Sequence, residues 1–170
     1  MSTMPNFKSL PTREASGSEK TIIEEVLSLY QCKPTEKAYS HYAENAVFSD
    51  PVSIAQGKAV IQSQFNGMPK IFKQSDTKEC RVLDDKSKPN AIVLDLTQHY
   101  VFKLGNFEKT LNSLITLELQ NGMIQRHEEQ WDGKPNATAA DGFFGKLAEW
   151  RKIAGAKLIH AVVGPDPSKV

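Results

Sequence analysis

Cysteine, long apolar runs and an excess of either charge are what this 170-residue sequence lacks. Cys32 and Cys80 are its two cysteines. They have neither a CxxC spacing nor the density of a disulfide-stapled secreted domain, so reduced thiols are expected. Lys and Arg total 21 against 20 Asp and Glu, which leaves no global field to hold nucleic acid or an anionic membrane. No stretch approaches the ~20 apolar residues of a membrane span, and the opening "MSTMPNFKSLPTREASGSEK" has no signal-peptide core. The expectation is a cytoplasmic protein with no nucleic-acid and no membrane partner. His41, His99, His127 and His160 lack the spacing of zinc ligands, and neither a metal nor a cofactor is expected.

What is present fits one globular domain of ordinary composition, 39% hydrophobic and 24% charged. Ile22, Ile23, Val26, Leu27 and Tyr30 recur at helical spacing after an N-cap at Ser18. Thr35 caps a short second helix through Tyr42, with Ala38, Tyr39 and Tyr42 facing inward. A brief strand, Ala46 to Ser49, precedes Asp50. Gly57 then leads into a helix with Val60, Ile61, Gln64, Phe65 and Met68 on one side, closed by Pro69. A last helix is expected from about Ala139 to Val163, built on Phe144, Leu147, Trp150, Ala154, Leu158 and Val162. These elements divide the chain into a flexible N-terminal tail (1–17), a folded domain (18–133) and a C-terminal helical extension packed on it (134–170).

Residues 78–132 read as strands. Gly105-Asn106 has the signature of a two-residue hairpin, which pairs Tyr100 with Leu111, Gln98 with Ser113, Leu96 with Ile115 and Leu94 with Leu117. Asn121-Gly122 permits two registers. A tight type I′ turn opposes Leu117 to Arg126, whereas a type I turn with Gly122 in the bulge position opposes Leu117 to His127 and Glu118 to Arg126. The bulge is preferred because it matches charges outside and keeps the apolar row inside. His127, Glu129 and Trp131 then fall on the inner face, with Glu129 beside Ile115 and Leu96.

The stretch "HYAENAVFSDPV" sets Asp50 after an apolar run and before a proline. Asp-Pro is a common turn opener and the carboxylate can cap nearby backbone donors. The alternative is a carboxylate facing a pocket. His127 and Glu129 are open in the same way: an acid-base pair, with the Glu129 carboxyl shifted toward neutral pH by its apolar neighbours, or members of a buried network in which they satisfy each other or the Trp131 and Tyr100 donors.

Together "HYAENAVFSDPV", "GKAVIQSQF" and "LELQNGMIQRHEEQWD" resemble the nuclear transport factor 2-like superfamily, in its SnoaL-like and ketosteroid-isomerase-like branches, over about residues 19–133. The resemblance implies an α+β cone in which a curved antiparallel sheet wraps around the N-terminal helix and leaves a largely apolar cavity, here with an extra C-terminal helix. Asp50 matches the isomerase's general base, but Val26 and Ile115 stand at its oxyanion-hole positions. Glu129 matches a catalytic aspartate of the limonene epoxide hydrolase branch, with Gln98 and Tyr100 at the places of its Arg and second Asp.

Three functions follow. In the first, a cofactor-free isomerase, cyclase or epoxide-hydrolase-like enzyme acts on a lipophilic small molecule. Asp50 and Glu129 shuttle the proton, Tyr100 and His127 orient or polarise the substrate, and Gln98, Ser113, Trp131, Leu96, Ile115, Phe102 and Tyr42 line the site. In the second, the same cavity holds a metabolite without turning it over. In the third, the protein is an interaction module, a homodimer through the outer sheet face at Thr97, Leu114, Thr116 and Gln130.

Overall fold

The computed structural model describes residues 6–105 and 107–132. Three helices, α1 (Gly17–Tyr30), α2 (Glu36–Ser40) and α3 (Lys58–Ile71), accompany six strands: β1 (Tyr42–Asp50), β2 (Ser53–Gln56), β3 (Phe72–Leu83), β4 (Ala91–Phe102), β5 (Glu108–Gln120) and β6 (Met123–Trp131). The strands form one curved sheet in the order β2-β1-β6-β5-β4-β3, with β1 and β6 parallel. One core joins the inner face of this sheet to the apolar sides of the three helices, from Val26 and Leu29 to Phe65, Leu94 and Ile115. The expected C-terminal helix lies outside the described residues.

Local chemistry sets where each helix starts. The α1 cap is Ser16, not Ser18: its hydroxyl accepts from Glu19 N while the Glu19 carboxylate accepts from Ser16 N, a reciprocal capping box. Thr35 caps α2 as expected, accepting from Ala38 N. Tyr42, expected at the end of α2, opens β1 instead, with its side chain fully buried. Pro69 sits in the last turn of α3 and the helix runs on to Ile71.

The first hairpin differs from its sequence reading by two residues. Tyr100 pairs with Lys109, Gln98 with Leu111, Leu96 with Ser113 and Leu94 with Ile115. Lys103 N donates to Ile71 O at the end of α3, and Phe102 N donates to Phe107 O across the hairpin. Because the slip is even, every side chain keeps its face.

At the second hairpin both registers weighed from sequence occur, in succession. Asn121 (φ +52°) and Gly122 (φ +76°) form the tight turn, pairing Gln120 with Met123 and Leu119 with Ile124. Gln125 is then the extra residue of a bulge, beyond which Glu118 pairs with Arg126 and Leu117 with His127.

The segment expected to be a flexible tail is packed from Asn6 onward. Phe7 is 8% exposed and clusters with Leu83 and Val93 on the outer sheet face, with Leu10 and Leu114 against them. Thr12 bridges to Leu83, Arg13 N donates to Val82 O, and Asp84 N donates to Pro11 O, so the segment also covers part of the β3 edge. This occupies part of the outer face assigned to a dimer contact. Leu114 packs under Phe7, and Thr116 is buried beside Lys88, whose Nζ donates to its hydroxyl at 3.2 Å.

Gly122 has no neighbouring atom within 4 Å of an added Cβ. Gly122→Ala therefore isolates the backbone penalty of a positive φ and is expected to cost about 1 kcal/mol in urea unfolding. No loss would show that the turn relaxes out of the left-handed region.

Candidate functional site

Tyr30, at the C-terminus of α1, carries the centre of the site. Its hydroxyl donates to Glu129 Oε2 at 3.0 Å and lies 2.9 Å from His127 Nε2. On the far side of the imidazole, Nδ1 is 2.8 Å from the Tyr42 hydroxyl. Glu129 Oε1 accepts from Ser113 Oγ and from Trp131 Nε1, each at 2.8 Å. Three donors from α1, β5 and β6 thus converge on a carboxylate 5% exposed, and such bonds favour its charged form.

The backbone delivers these groups together. The Gln125 bulge turns His127, Glu129 and Trp131 inward, and pairing of Ile115 with Glu129 brings Ser113 and Trp131 opposite one another. Ser75 Oγ donates to the Tyr30 carbonyl at 2.6 Å and Gln98 Nε2 to the same oxygen at 3.4 Å, so the end of α1 is pinned to β3 and β4. Gln98 also donates to Ser75 Oγ and accepts from Thr77. Its role in the described structure is to hold the helix.

The expected residues fall as follows. Glu129, His127, Ser113 and Trp131 share the network, and Tyr42 joins it from β1. The neighbour of Ile115 on β4 is Leu94, so Leu96 lies opposite Ser113 rather than beside Glu129's partner. Tyr100 packs on Phe72 with ring centroids 4.6 Å apart, and Phe102 on Phe72 at 4.9 Å. Asp50 is 9% exposed, and its Oδ1 accepts from Val52 N, Ser53 N and Ser53 Oγ at 2.8–3.0 Å, the turn-capping role. Because Phe48 pairs with His127 and Ser49 with Glu128, extending this parallel register by one residue sets Asp50 alongside Glu129.

His127 is not an acid near neutral pH. Phe48 meets its ring edge-on at 4.9 Å and Phe65 stacks on it at 6.0 Å, and this full burial lowers its pKa to about 3. Burial, reinforced by the nearby Glu129 charge, pushes the Tyr30 hydroxyl well above its ordinary value, and burial does the same to Tyr42.

Tyr30 is not among the candidate site residues read from sequence, although its place on the α1 stripe is. A tyrosine closing an otherwise aliphatic stripe was the available signal, because a buried phenol requires a polar partner.

No family model and no curated protein matches the chain. Solved structures do. A protein from Bacillus subtilis proposed to be an isomerase is 18% identical, with TM-score 0.57 over 68% of this chain and 89% of that one. A proposed polyketide cyclase from Pseudomonas putida KT2440 is 11% identical, with TM-score 0.56 over 68% and 91%. A nuclear transport factor 2-like protein of unknown function from Burkholderia pseudomallei K96243 is 13% identical, with TM-score 0.56 over 70% and 93%. The chain has the nuclear transport factor 2-like fold. This fold agrees with the cone read from sequence. Among the described residues, no helix is long and apolar enough to cross a membrane.

The neutral, buried His127 makes stability pH-dependent. The unfolded chain protonates this side chain below its ordinary value of 6.5, whereas the folded one resists until about 3. Stability is therefore full above pH 6.5 and falls as pH drops through that window, by up to about 1.4 kcal/mol per unit. Urea midpoints measured between pH 7 and 5 should fall in the wild type and flatten in His127→Asn. Equal slopes would place the loss elsewhere.

Proposed function

We propose that the interior of the cone binds a lipophilic small molecule and acts on it by cofactor-free acid–base catalysis of the isomerase or cyclase kind. The observation that carries this reading is the Tyr30 hydroxyl 3.0 Å from a buried Glu129 carboxylate, inside a shell of Leu94, Ile115, Phe48 and Phe65. Glu129 takes a proton from the ligand and returns it. Tyr30, able to donate either to Glu129 or to a developing ligand oxygen, stabilises the charge left behind. Asp50, alongside Glu129 at the end of β1, is the second proton carrier, and Tyr100 bounds the site beside Tyr30. Ser113, Trp131, Leu96, Ile115 and Phe102 shape the apolar wall, with Tyr42 acting through His127 rather than by contact.

A specific observation favours a second reading. Both carboxylates are engaged by protein donors, Asp50 by its own turn and Glu129 by three side chains. Groups committed in this way suit a carrier as well as a catalyst.

Incubating wild type and Glu129→Gln with a lipophilic metabolite extract, followed by mass spectrometry of the bound and free pools, separates the two. Catalysis predicts a compound consumed by the wild type and spared at least 10²-fold by the variant. A compound retained unchanged by both proteins identifies a carrier, and retention should survive Glu129→Gln because the neutral amide is cheaper to bury. If neither protein consumes or retains anything, both readings fail.

A further inference from the structure

The chain of bonds from Tyr42 to Glu129 has a direction, and direction decides where the proton of Tyr30 rests. A neutral imidazole carries one N–H, and here each ring nitrogen faces a phenol. Tyr30 has one proton and two neighbours, Nε2 and the Glu129 carboxylate. If Tyr30 gave its proton to Nε2, its lone pair would face Glu129 Oε2 at 3.0 Å, acceptor against acceptor. Nδ1–H would then have to donate to Tyr42, and the Tyr42 proton would lose its acceptor. The opposite arrangement satisfies every contact: Tyr42 O–H donates to Nδ1, Nε2–H donates to Tyr30 O, and Tyr30 O–H donates to Glu129.

We propose that Tyr42 is a positioning residue that holds His127 as its Nε2–H tautomer and thereby keeps the proton of Tyr30 aimed at Glu129. Its meaning for catalysis rests on the reading of Glu129 given above, but the arrangement itself needs no ligand. The residue suits this task because it is fully buried on β1, two elements away from the helix it controls. Phe48 and Phe65 exclude water from the ring, so no solvent molecule competes for Nδ1 from those faces. Three donors, Tyr30, Ser113 and Trp131, set the proton affinity of Glu129 directly. Asp50 from β1 and Tyr100 from β4 are the other titratable groups facing this end of the site. Tyr42 acts on the donor that also faces His127.

The test uses the full chain with isotope-labelled histidine and glutamate. Nitrogen NMR of the wild type should show His127 protonated at Nε2 and bare at Nδ1, unchanged between pH 8 and pH 5. In Tyr42→Phe the tautomer should become mixed, and carboxyl carbon NMR should show the Glu129 midpoint rising by about one pH unit, the equivalent of one lost hydrogen bond. Tyr30→Phe should raise the Glu129 midpoint by a similar amount while leaving the tautomer intact, because the Tyr42 bond to Nδ1 survives. A wild-type Nδ1–H tautomer would overturn the proposal even if Tyr42→Phe failed to fold. So would a folded Tyr42→Phe with both signals unmoved. Because these signals need no substrate, they can stand while the Glu129→Gln assay fails, and the reverse.

Discussion

A carboxylate taken out of water must be met by donors, and the rest of this structure is arranged around that requirement at Glu129. An unpaired buried carboxylate costs several kcal/mol even after the protein relaxes around it. Here the donors are distributed: Tyr30 at the end of α1, Ser113 on β5 and Trp131 on β6. The bond from Tyr30 joins groups 99 residues apart and ties the first helix to the last described strand. The same residue is held by its backbone, where Ser75 and Gln98 bind its carbonyl. Both ends of one tyrosine thus tie the end of α1 to β3, β4 and β6.

That arrangement depends on one extra residue in β6. Without the bulge at Gln125, the tight-turn register set by Asn121 and Gly122 would carry through the strand and oppose Leu117 to Arg126. Period-2 alternation would then send His127, Glu129 and Trp131 to the outer face and Arg126 and Glu128 into the core. The turn alone favours the wrong face, and the burial of Trp131 and the satisfaction of Glu129 favour the right one. The bulge reconciles a strong local turn with a stronger tertiary demand, and it adds the local twist that helps the sheet curve.

These competing demands explain which features could be read from the residues. The facing of β4, β5 and β6 was legible because alternation survives an even slip, so Gln98 and Tyr100 fall inside although their partners are displaced by two residues; β2 and the first residues of β3, Phe72 to Thr77, were not read as strand. The slip accompanies a Lys103 to Ile71 backbone bond, which joins elements whose meeting no local pattern announces. Glu129 and His127 were found because they interrupt an apolar face. Tyr30 was passed over as a site residue because it continues one, and its partners lie about a hundred positions away. Of the two readings of Asp50, the turn cap is the one that the bonds of its Oδ1 match. Asp-Pro predicts that cap, and the side chain is buried as well, 9% exposed. Phe7 was assigned to a tail because a lone aromatic in a polar segment carries no periodicity, and only the outer row of Leu83 and Val93 gives it a reason to pack.

The buried imidazole also limits what the chain of bonds can do. Delivering a proton to Glu129 along it would require Tyr30 to give up its proton, His127 to replace it from Nε2, and Tyr42 to replace that one at Nδ1. The imidazole would stay neutral throughout, which suits a ring whose burial holds its pKa at about 3. The cost falls on Tyr42, left as a phenolate in a fully buried position where burial already pushes its pKa far up. Among the described residues that end of the chain faces no compensating cation. The bonds therefore polarise and orient without conducting. On the catalytic reading proposed above, Glu129 therefore exchanges its proton with the ligand or with Asp50 beside it, and not along this chain of bonds.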